Sequence, residues 1–417
     1  MSAHKFSRGR GAGNRPQQAS QVKKPAALKS HAANSTLQVQ SAELVLPHYP
    51  FQPLPTPNGP PPYRFDLSQL LQPDEVAKIT AAGKLVFHSI GDTGDERGKQ
   101  MDFVAAMMTQ DYVNSPAGTA PAFFYHLGDV VYFAGDIGMY GECFYETYAE
   151  YPGLIVSIPG NHDCQPDDPQ DGPVDPAKKP LDGWIQNFMS KDPTQLGSLK
   201  TTSSRTQMNL PNVYWTFTMP LATIIGLFTN VSESEAEVHP DQLAWFKDEL
   251  TAADPNKALV VAIHHPPYSL DTEHPGSTVA ESVLFESFAA TGVYPHVILS
   301  GHVHNYQRFT VTETAKPGPL QIACIVAGNG GYSKLGTLRK VGNNYPPQPY
   351  SLTATLRLDK YDQSNFGFLR FEVTGGQIVG IYSSAQFQES TPPQAAVYDQ
   401  FSIDLKTRVI QALPIAK

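Results

Sequence analysis

Five short runs gather the residues of this chain that could bind a cation. They are Gly91-Asp92-Thr93-Gly94, Gly128-Asp129-Val130-Val131-Tyr132, Gly160-Asn161-His162-Asp163, Val261-Ala262-Ile263-His264 and Gly301-His302-Val303-His304. Between them they offer carboxylates, a phenol, an amide and imidazoles, and no thiolate. Oxygen and nitrogen donors of this kind suit hard or borderline cations. Seven such donors suit two cations better than one.

Something must hold these donors in place, and the residues before them indicate what. Lys84-Leu85-Val86-Phe87-His88-Ser89-Ile90 is a short apolar run that ends at a glycine and an acid, and it predicts a buried strand. Phe123 to Leu127, Leu154 to Ile158, Ala258 to Ile263 and His296 to Ser300 repeat the arrangement. Five strands would thus each deliver polar residues at their C-terminal ends, the edge where ligands gather in open α/β sheets. Glycines at these ends let the backbone turn tightly and approach closely.

Helical spacing predicts helices over Gly98–Tyr112 and Asp241–Leu250, the second started by Pro240. Asn212–Met219 and Leu221–Phe228 read as an antiparallel pair, and Gln321–Ala327, Phe366–Thr374 and Gln377–Ser383 as later strands. Such a mixture implies strands in two layers with helices outside them.

In order and spacing, the five runs resemble the motif blocks of the purple acid phosphatases, within the calcineurin-like metallophosphoesterase superfamily. The match extends from about Lys84 to Arg308, and a weaker one continues through Ala327-Gly328-Asn329-Gly330-Gly331 to Asp404. The resemblance implies an α/β fold: a four-layer αββα metallophosphoesterase sandwich with two mixed sheets. It also implies a dinuclear centre. Asp92, Tyr132 and His304 would hold a ferric ion (Fe3+), and Asn161, His264 and His302 a divalent ion (Fe2+, Zn2+ or Mn2+). Asp129 would bridge the two. The donor types agree, because a phenolate favours a trivalent cation whereas neutral amide and imidazole donors suit a divalent one. Most relatives in the wider superfamily carry an aspartate where Tyr132 stands.

Each residue also has a plainer reading. Tyr132 could pack at a helix start, Asp92 and Asp129 could serve as turn or cap residues, and Asn161 beside Gly160 could support a left-handed turn. Five coincidences in order would then be needed. By the same resemblance His162 faces the leaving group, as a phosphate contact and proton donor; the alternative is a structural histidine behind the ligands. Glu273-His274 is similar to a Glu-His pair that faces the substrate in the small animal-type enzymes, although this chain is one residue longer before it. His274 could equally be an exposed loop histidine. His265 is the less favoured of the His264-His265 pair, and Arg308 could attract phosphate or be an ordinary surface arginine.

The expected function is hydrolysis of phosphomonoesters by a hydroxide generated at two metal ions. The alternatives are a phosphodiesterase of the same superfamily and a catalytically silent binding module; the latter expects missing ligands, and none is missing. Small-molecule phosphate esters are the expected partners. No groove for a nucleic-acid backbone is evident, and oligomeric state is not readable.

At 417 residues the chain is read as one large catalytic domain over 83–410. Residues 43–82 are expected as a proline-rich extended arm, too short for the fibronectin-like domain of plant-type relatives. Residues 1–42 are expected as a disordered basic tail. They contribute +7 to a net charge of −9, leaving −16 on the rest. No apolar core of a secretory signal precedes the domain, and no apolar run approaches the roughly 20 residues of a membrane span. Cys143, Cys164 and Cys324 give no disulfide framework. A cytoplasmic, bacterial-type protein is expected, periplasmic or secreted locations staying open. Asn230-Val231-Ser232 matches a glycosylation acceptor that matters only in secretion. The Pro- and Asp-rich stretch Gln165–Pro180 and the segment Val341–Tyr350 are expected to wall the substrate site. An acidic wall would disfavour polyanionic substrates.

Overall fold

The computed structural model describes residues 54–95, 98–165, 178–193, 201, 203–229, 238–314, 318–389 and 393–415. The expected basic tail, the glycosylation match and most of Gln165–Pro180 lie outside the described residues. Two large mixed sheets dominate. One has nine strands, in the spatial order Arg64–Asp66, Trp215–Thr218, Ala222–Leu227, Ala258–Ile263, Val297–Ser300, Leu320–Ala327, Tyr306–Glu313, Leu356–Asp362, Tyr350–Ser351. The other has seven: Ile410–Ala412, Ala396–Asp404, Gln377–Ala385, Phe366–Thr374, Lys84–Ile90, Phe123–His126, Leu154–Ser157. A two-stranded pair, Gly94–Asp95 with Val131–Tyr132, lies beside the predicted donors.

Each of the five predicted donor-bearing runs forms a strand. Lys84–Ile90, Phe123–His126 and Leu154–Ser157 run parallel in the smaller sheet, and Ala258–Ile263 and Val297–Ser300 run parallel in the larger. Their near-continuous apolar sequences follow from burial on both faces. On the inner side the two sheets meet through aromatic rings. Phe123 and Tyr125 of the smaller sheet lie 4.9 Å and 5.7 Å from Phe217 and Trp215 of the larger. On the outer side, Gln100–Asn114 packs on Phe366–Thr374, whereas Pro240–Ala252 packs on Ala222–Leu227 and on Thr278–Thr291. The order of layers is αββα.

Thr278–Thr291 is not among the expected helices, although Ala280, Val283, Leu284, Ser287 and Phe288 are buried at helical spacing. The segment expected as an extended arm differs too. Residues 64–82 carry a strand and the helix Pro73–Ala82. The strand joins the large sheet because Phe65 buries its ring against Trp215 and Phe217, 5.9 Å and 5.8 Å away. Among the described residues no helix is long and apolar enough to cross a membrane.

One buried imidazole, at the start of the run that leads to His302, should make stability pH-dependent. His296 Nδ1 accepts the Leu259 N–H at 3.0 Å, and Nε2 lies 3.3 Å from the Leu405 carbonyl. Burial, with the Arg408 charge adding to it, pushes the imidazole from 6.5 down to about 4. The folded state therefore holds the neutral ring. Its contribution is intact above about pH 6.5, falls as pH drops towards 4 and then levels, a loss of about 3 kcal/mol. Urea midpoints of wild type and His296→Gln should converge on acidification across that window; parallel curves would remove His296 as the cause.

Candidate metal centre

The site is built at the parallel strand ends, where the two sheets face each other. Main-chain bonds tie the ends together: Gly91 N–H to Ala327 O (3.0 Å), Asp92 N–H to Gly128 O (3.0 Å) and Gly301 N–H to His264 O (3.0 Å). Three donors, Asp92, Asp129 and His302, sit at φ of 60°, 53° and 66°. A left-handed conformation costs a non-glycine residue about 1 kcal/mol or more, and it persists where the surroundings over-determine it. The neighbouring glycines leave no room for a side chain. A Cβ on Gly160 would fall 2.1 Å from Asp129 Oδ1, and one on Gly301 2.5 Å from Asp92 Oδ2.

All seven predicted donors are brought together, in two groups. In the first, Tyr132 Oη lies 3.0 Å from Asp92 Oδ1, 2.9 Å from Asp129 Oδ2 and 3.2 Å from His304 Nε2. In the second, Asn161 Oδ1 lies 3.0 Å from His264 Nε2 and 2.9 Å from His302 Nδ1. Asp129 Oδ2 belongs to both, being also 3.3 Å from His264 Nε2. Asp129, His264 and His302 form the described cluster whose donor atoms all lie within 4.8 Å of one another.

Supporting bonds fix the donors' chemistry. A carbonyl only accepts, so the 2.8 Å contact of His264 Nδ1 with Leu127 O places a proton on Nδ1 and turns Nε2 inward, towards Asn161 and Asp129. His302 N–H donates to Asp92 Oδ2 at 2.9 Å, and His162 N–H to Asp129 Oδ1 at 2.8 Å. Asp163, given no role from sequence, proves to be the organiser of this corner. Its carboxylate accepts the N–H groups of Asp129 (2.8 Å), Val130 (3.1 Å) and Gly160 (2.8 Å).

The electrostatics are those of acids and bases crowded out of water. Burial alone would raise the Asp129 carboxyl, but the imidazoles of His264 and His162 hold it well below the carboxylate range. Burial, with the Asp129 charge behind it, pushes Asp163 up to about 7. Burial would lower His264, yet the carboxylate of Asp129 carries it up to about 9. Burial and then the charges of Asp129 and Asp92 keep the Tyr132 phenol protonated far above its usual range. A cation among these groups would reverse the last effect and satisfy lone pairs that now crowd one another.

The predicted catalytic residues separate. His162 is 6 % exposed, with its Nδ1 2.8 Å from Phe133 O, an arrangement that leaves Nε2 as its reactive nitrogen. His274 is half-buried, its ring 4.8 Å from that of His302 and 5.8 Å from that of His304. Glu273 does not join the donors; it is exposed and paired with Lys334 at 2.8 Å. His265 is buried behind His302, rings 4.2 Å apart, with Nδ1 on Thr229 Oγ1 at 2.8 Å. Arg308 is neither a surface residue nor a phosphate contact, because its guanidinium is buried between Asp399 (2.6 Å) and Asp359 (3.0 Å). Within the segment Val341–Tyr350, Pro346 O accepts from Tyr361 Oη at 3.1 Å, Gln348 Nε2 donates to Tyr361 O at 3.3 Å, and Tyr350 pairs with Leu358 in the larger sheet.

Tyr332 was not legible as a site residue. Its ring lies 4.4 Å from that of Tyr132 and 4.5 Å from that of His304, and its N–H donates to Asp92 O at 3.0 Å. The Gly328-Asn329-Gly330-Gly331 run before it was the available signal.

Comparison with known proteins gives a concordant picture. The family model of the calcineurin-like phosphoesterases matches residues 86–306. Purple acid phosphatase 21 of Arabidopsis thaliana is 29% identical over 171 residues, which are 39% of this chain and 34% of that protein. Purple acid phosphatase 22 of the same plant is 27% identical over 175 residues, 40% of this chain and 35% of that protein. The chain thus spans about a third of the length of the curated relatives it matches. Among solved structures, the purple acid phosphatase PPD1 from yellow lupin seeds superposes with a TM-score of 0.51 at 16% identity, over 77% of this chain and 54% of that one. PhoD superposes with a TM-score of 0.52 at 12% identity, over 80% and 72%. At such identities these two likenesses speak for the fold alone.

Proposed function

Because the chain belongs to the calcineurin-like phosphoesterase family, we propose that it is a metal-dependent phosphatase acting on phosphomonoesters, with a ferric and a divalent ion in its two donor groups. One observation carries the finer reading: the Tyr132 oxygen stands within 3.2 Å of Asp92, Asp129 and His304. A phenol in that position is a hard anionic donor once ionised, suited to a trivalent cation. Asn161, His264 and His302 would hold the divalent ion, and Asp129 would serve both.

Bound cations would supply Lewis-acid neutralisation of the phosphate oxygens and lower the pKa of water. The chain's own residues do the rest. The His162 Nε2, its partner nitrogen fixed by Phe133 O, is placed to hold a phosphate oxygen or pass a proton to the leaving group. The half-buried His274 ring, set edge-on to His302 and His304, is the second such candidate. Glu273 acts at most indirectly, by its pairing with Lys334 beside His274.

The visible spectrum tests the reading. Purified protein with two metals should show a phenolate-to-ferric charge-transfer band, and Tyr132→Phe should lose it. A colourless protein holding two divalent ions under oxidising conditions would return Tyr132 to a packing role. A rate on bis-aryl phosphate exceeding that on aryl phosphate would replace the monoesterase reading with a diesterase.

A further inference from the structure

The rings around the metal centre form a continuous series. Phe133 lies 4.7 Å from His162, His162 4.5 Å from Tyr132, Tyr132 4.4 Å from Tyr332, and Tyr332 4.5 Å from His304. Their exposure differs in a way that gives the series a direction. Tyr132 is fully buried, whereas Phe133, Tyr332 and His274 are half-buried. Three aromatic side chains therefore reach solvent beside the donor groups, together with the donor His304.

Tyr332 is the most firmly placed of them. Its N–H is bonded to Asp92 O, and Gly331 before it has φ 154°, where a Cβ would fall 2.4 Å from Thr93 O. Only a glycine lets the loop come this close and set the next ring against Tyr132 and His304. The loop beyond is clamped as well. Gly336 N–H donates to His304 O at 2.8 Å, and Thr272 N–H to Thr337 O at 2.9 Å, so Tyr332 and His274 are carried on two segments bonded to each other. The charges at this rim, Lys334 and Glu273, neutralise one another at 2.8 Å.

We propose that Tyr332 is a specificity-determining wall of this site, against which the planar aromatic leaving group of the ester stacks, so that aryl phosphates are preferred over alkyl phosphates. The proposal rests on the phosphomonoesterase reading above. A ring already packed against Tyr132 and His304 loses little freedom on binding, gains from stacking on another π-face and gives a flexible polyhydroxylated chain little to bond to. With Lys334 and Glu273 paired, the described residues named at this rim offer ring faces and no net charge to a leaving group.

The test compares p-nitrophenyl phosphate with glycerol phosphate on the metal-loaded full chain. Tyr332→Ala should reduce the aryl-over-alkyl preference in kcat/KM by about tenfold, mainly through KM, and Tyr332→Phe should restore it. The charge-transfer band should keep its position in both variants. Equal losses on both esters with a displaced band would make Tyr332 a positioning residue for Tyr132 and overturn the wall. An unchanged preference would overturn it also. If wild type hydrolyses neither ester, the catalytic reading fails separately. Calorimetric binding of phenyl phosphonate against methyl phosphonate then decides the wall: a preference lost in Tyr332→Ala supports it, and one retained overturns it.

Discussion

Asp129→Asn should fold normally and lose about three orders of magnitude or more in kcat on aryl phosphate. The magnitude is that of removing a charge-stabilising group from a water-excluded site. The substitution is chosen to isolate charge. Asparagine tolerates the left-handed region that Asp129 occupies at φ 53°, and it nearly matches the carboxylate in shape. Its amide oxygen can still accept the His162 N–H. What disappears is the anionic oxygen that touches both donor groups, 2.9 Å from Tyr132 and 3.3 Å from His264. With it goes the negative charge that holds the His264 imidazole up. Metal analysis of the purified variant should show fewer than two ions per chain, with an unaltered far-UV spectrum. Turnover within tenfold of wild type, with both metals bound, would remove Asp129 from its bridging place.

The largest effect on stability is expected at Arg308, whose ion-pair partners include none of the donors. Its guanidinium lies on the Tyr306–Glu313 strand of the larger sheet and donates to Asp399, on the Ala396–Asp404 strand of the smaller. It also donates to Asp359 within its own sheet. Tyr306 adds a bond to Asp399 at 2.9 Å, and its ring stacks on Tyr382 across the sheets at 3.8 Å. Arg308→Met keeps much of the volume and leaves the buried Asp399 carboxylate without its cation, whereas Asp359 keeps Arg357. Breaking a buried pair in this way costs about 3–5 kcal/mol, a fall in Tm on the order of 5 °C for a domain of this size. Activity per folded molecule should persist, since Arg308 touches none of the donors. A Tm within 1–2 °C of wild type would mean that the triad contributes about as little as an exposed pair.

These two residues also mark what could and could not be read from sequence. Asp129 was legible because strand, glycine and acid follow one another within a few residues, so local pattern alone put the carboxylate at a strand end. The same holds for Asp92, Asn161, His264 and the His302-His304 pair. Arg308 was misread because its partners lie about fifty and ninety residues away, and a single sequence does not reveal that two sheets will close over a charge. Tyr332 and Asp163 were missed for related reasons. The first acts through ring contacts that a loop brings about. The second acts by accepting main-chain N–H groups, a role with no side-chain spacing to advertise it. Glu273 was singled out by its adjacency to His274 in sequence, and that adjacency gave no sign that its carboxylate pairs with Lys334.

The division of donors between the sheets has a consequence in time. Each group draws on both halves of the chain: Tyr132 and Asp92 meet His304, and Asn161 meets His264 and His302. A chain emerging from the ribosome therefore displays Asp92, Asp129, Tyr132 and Asn161 well before it can complete either group. A cation met at that stage would find the four oxygen donors without the three imidazoles, and the full set closes once His304 has been made and the larger sheet has come to rest against the smaller. Metal capture that needs the complete donor set would belong to the last stage of the protein's birth.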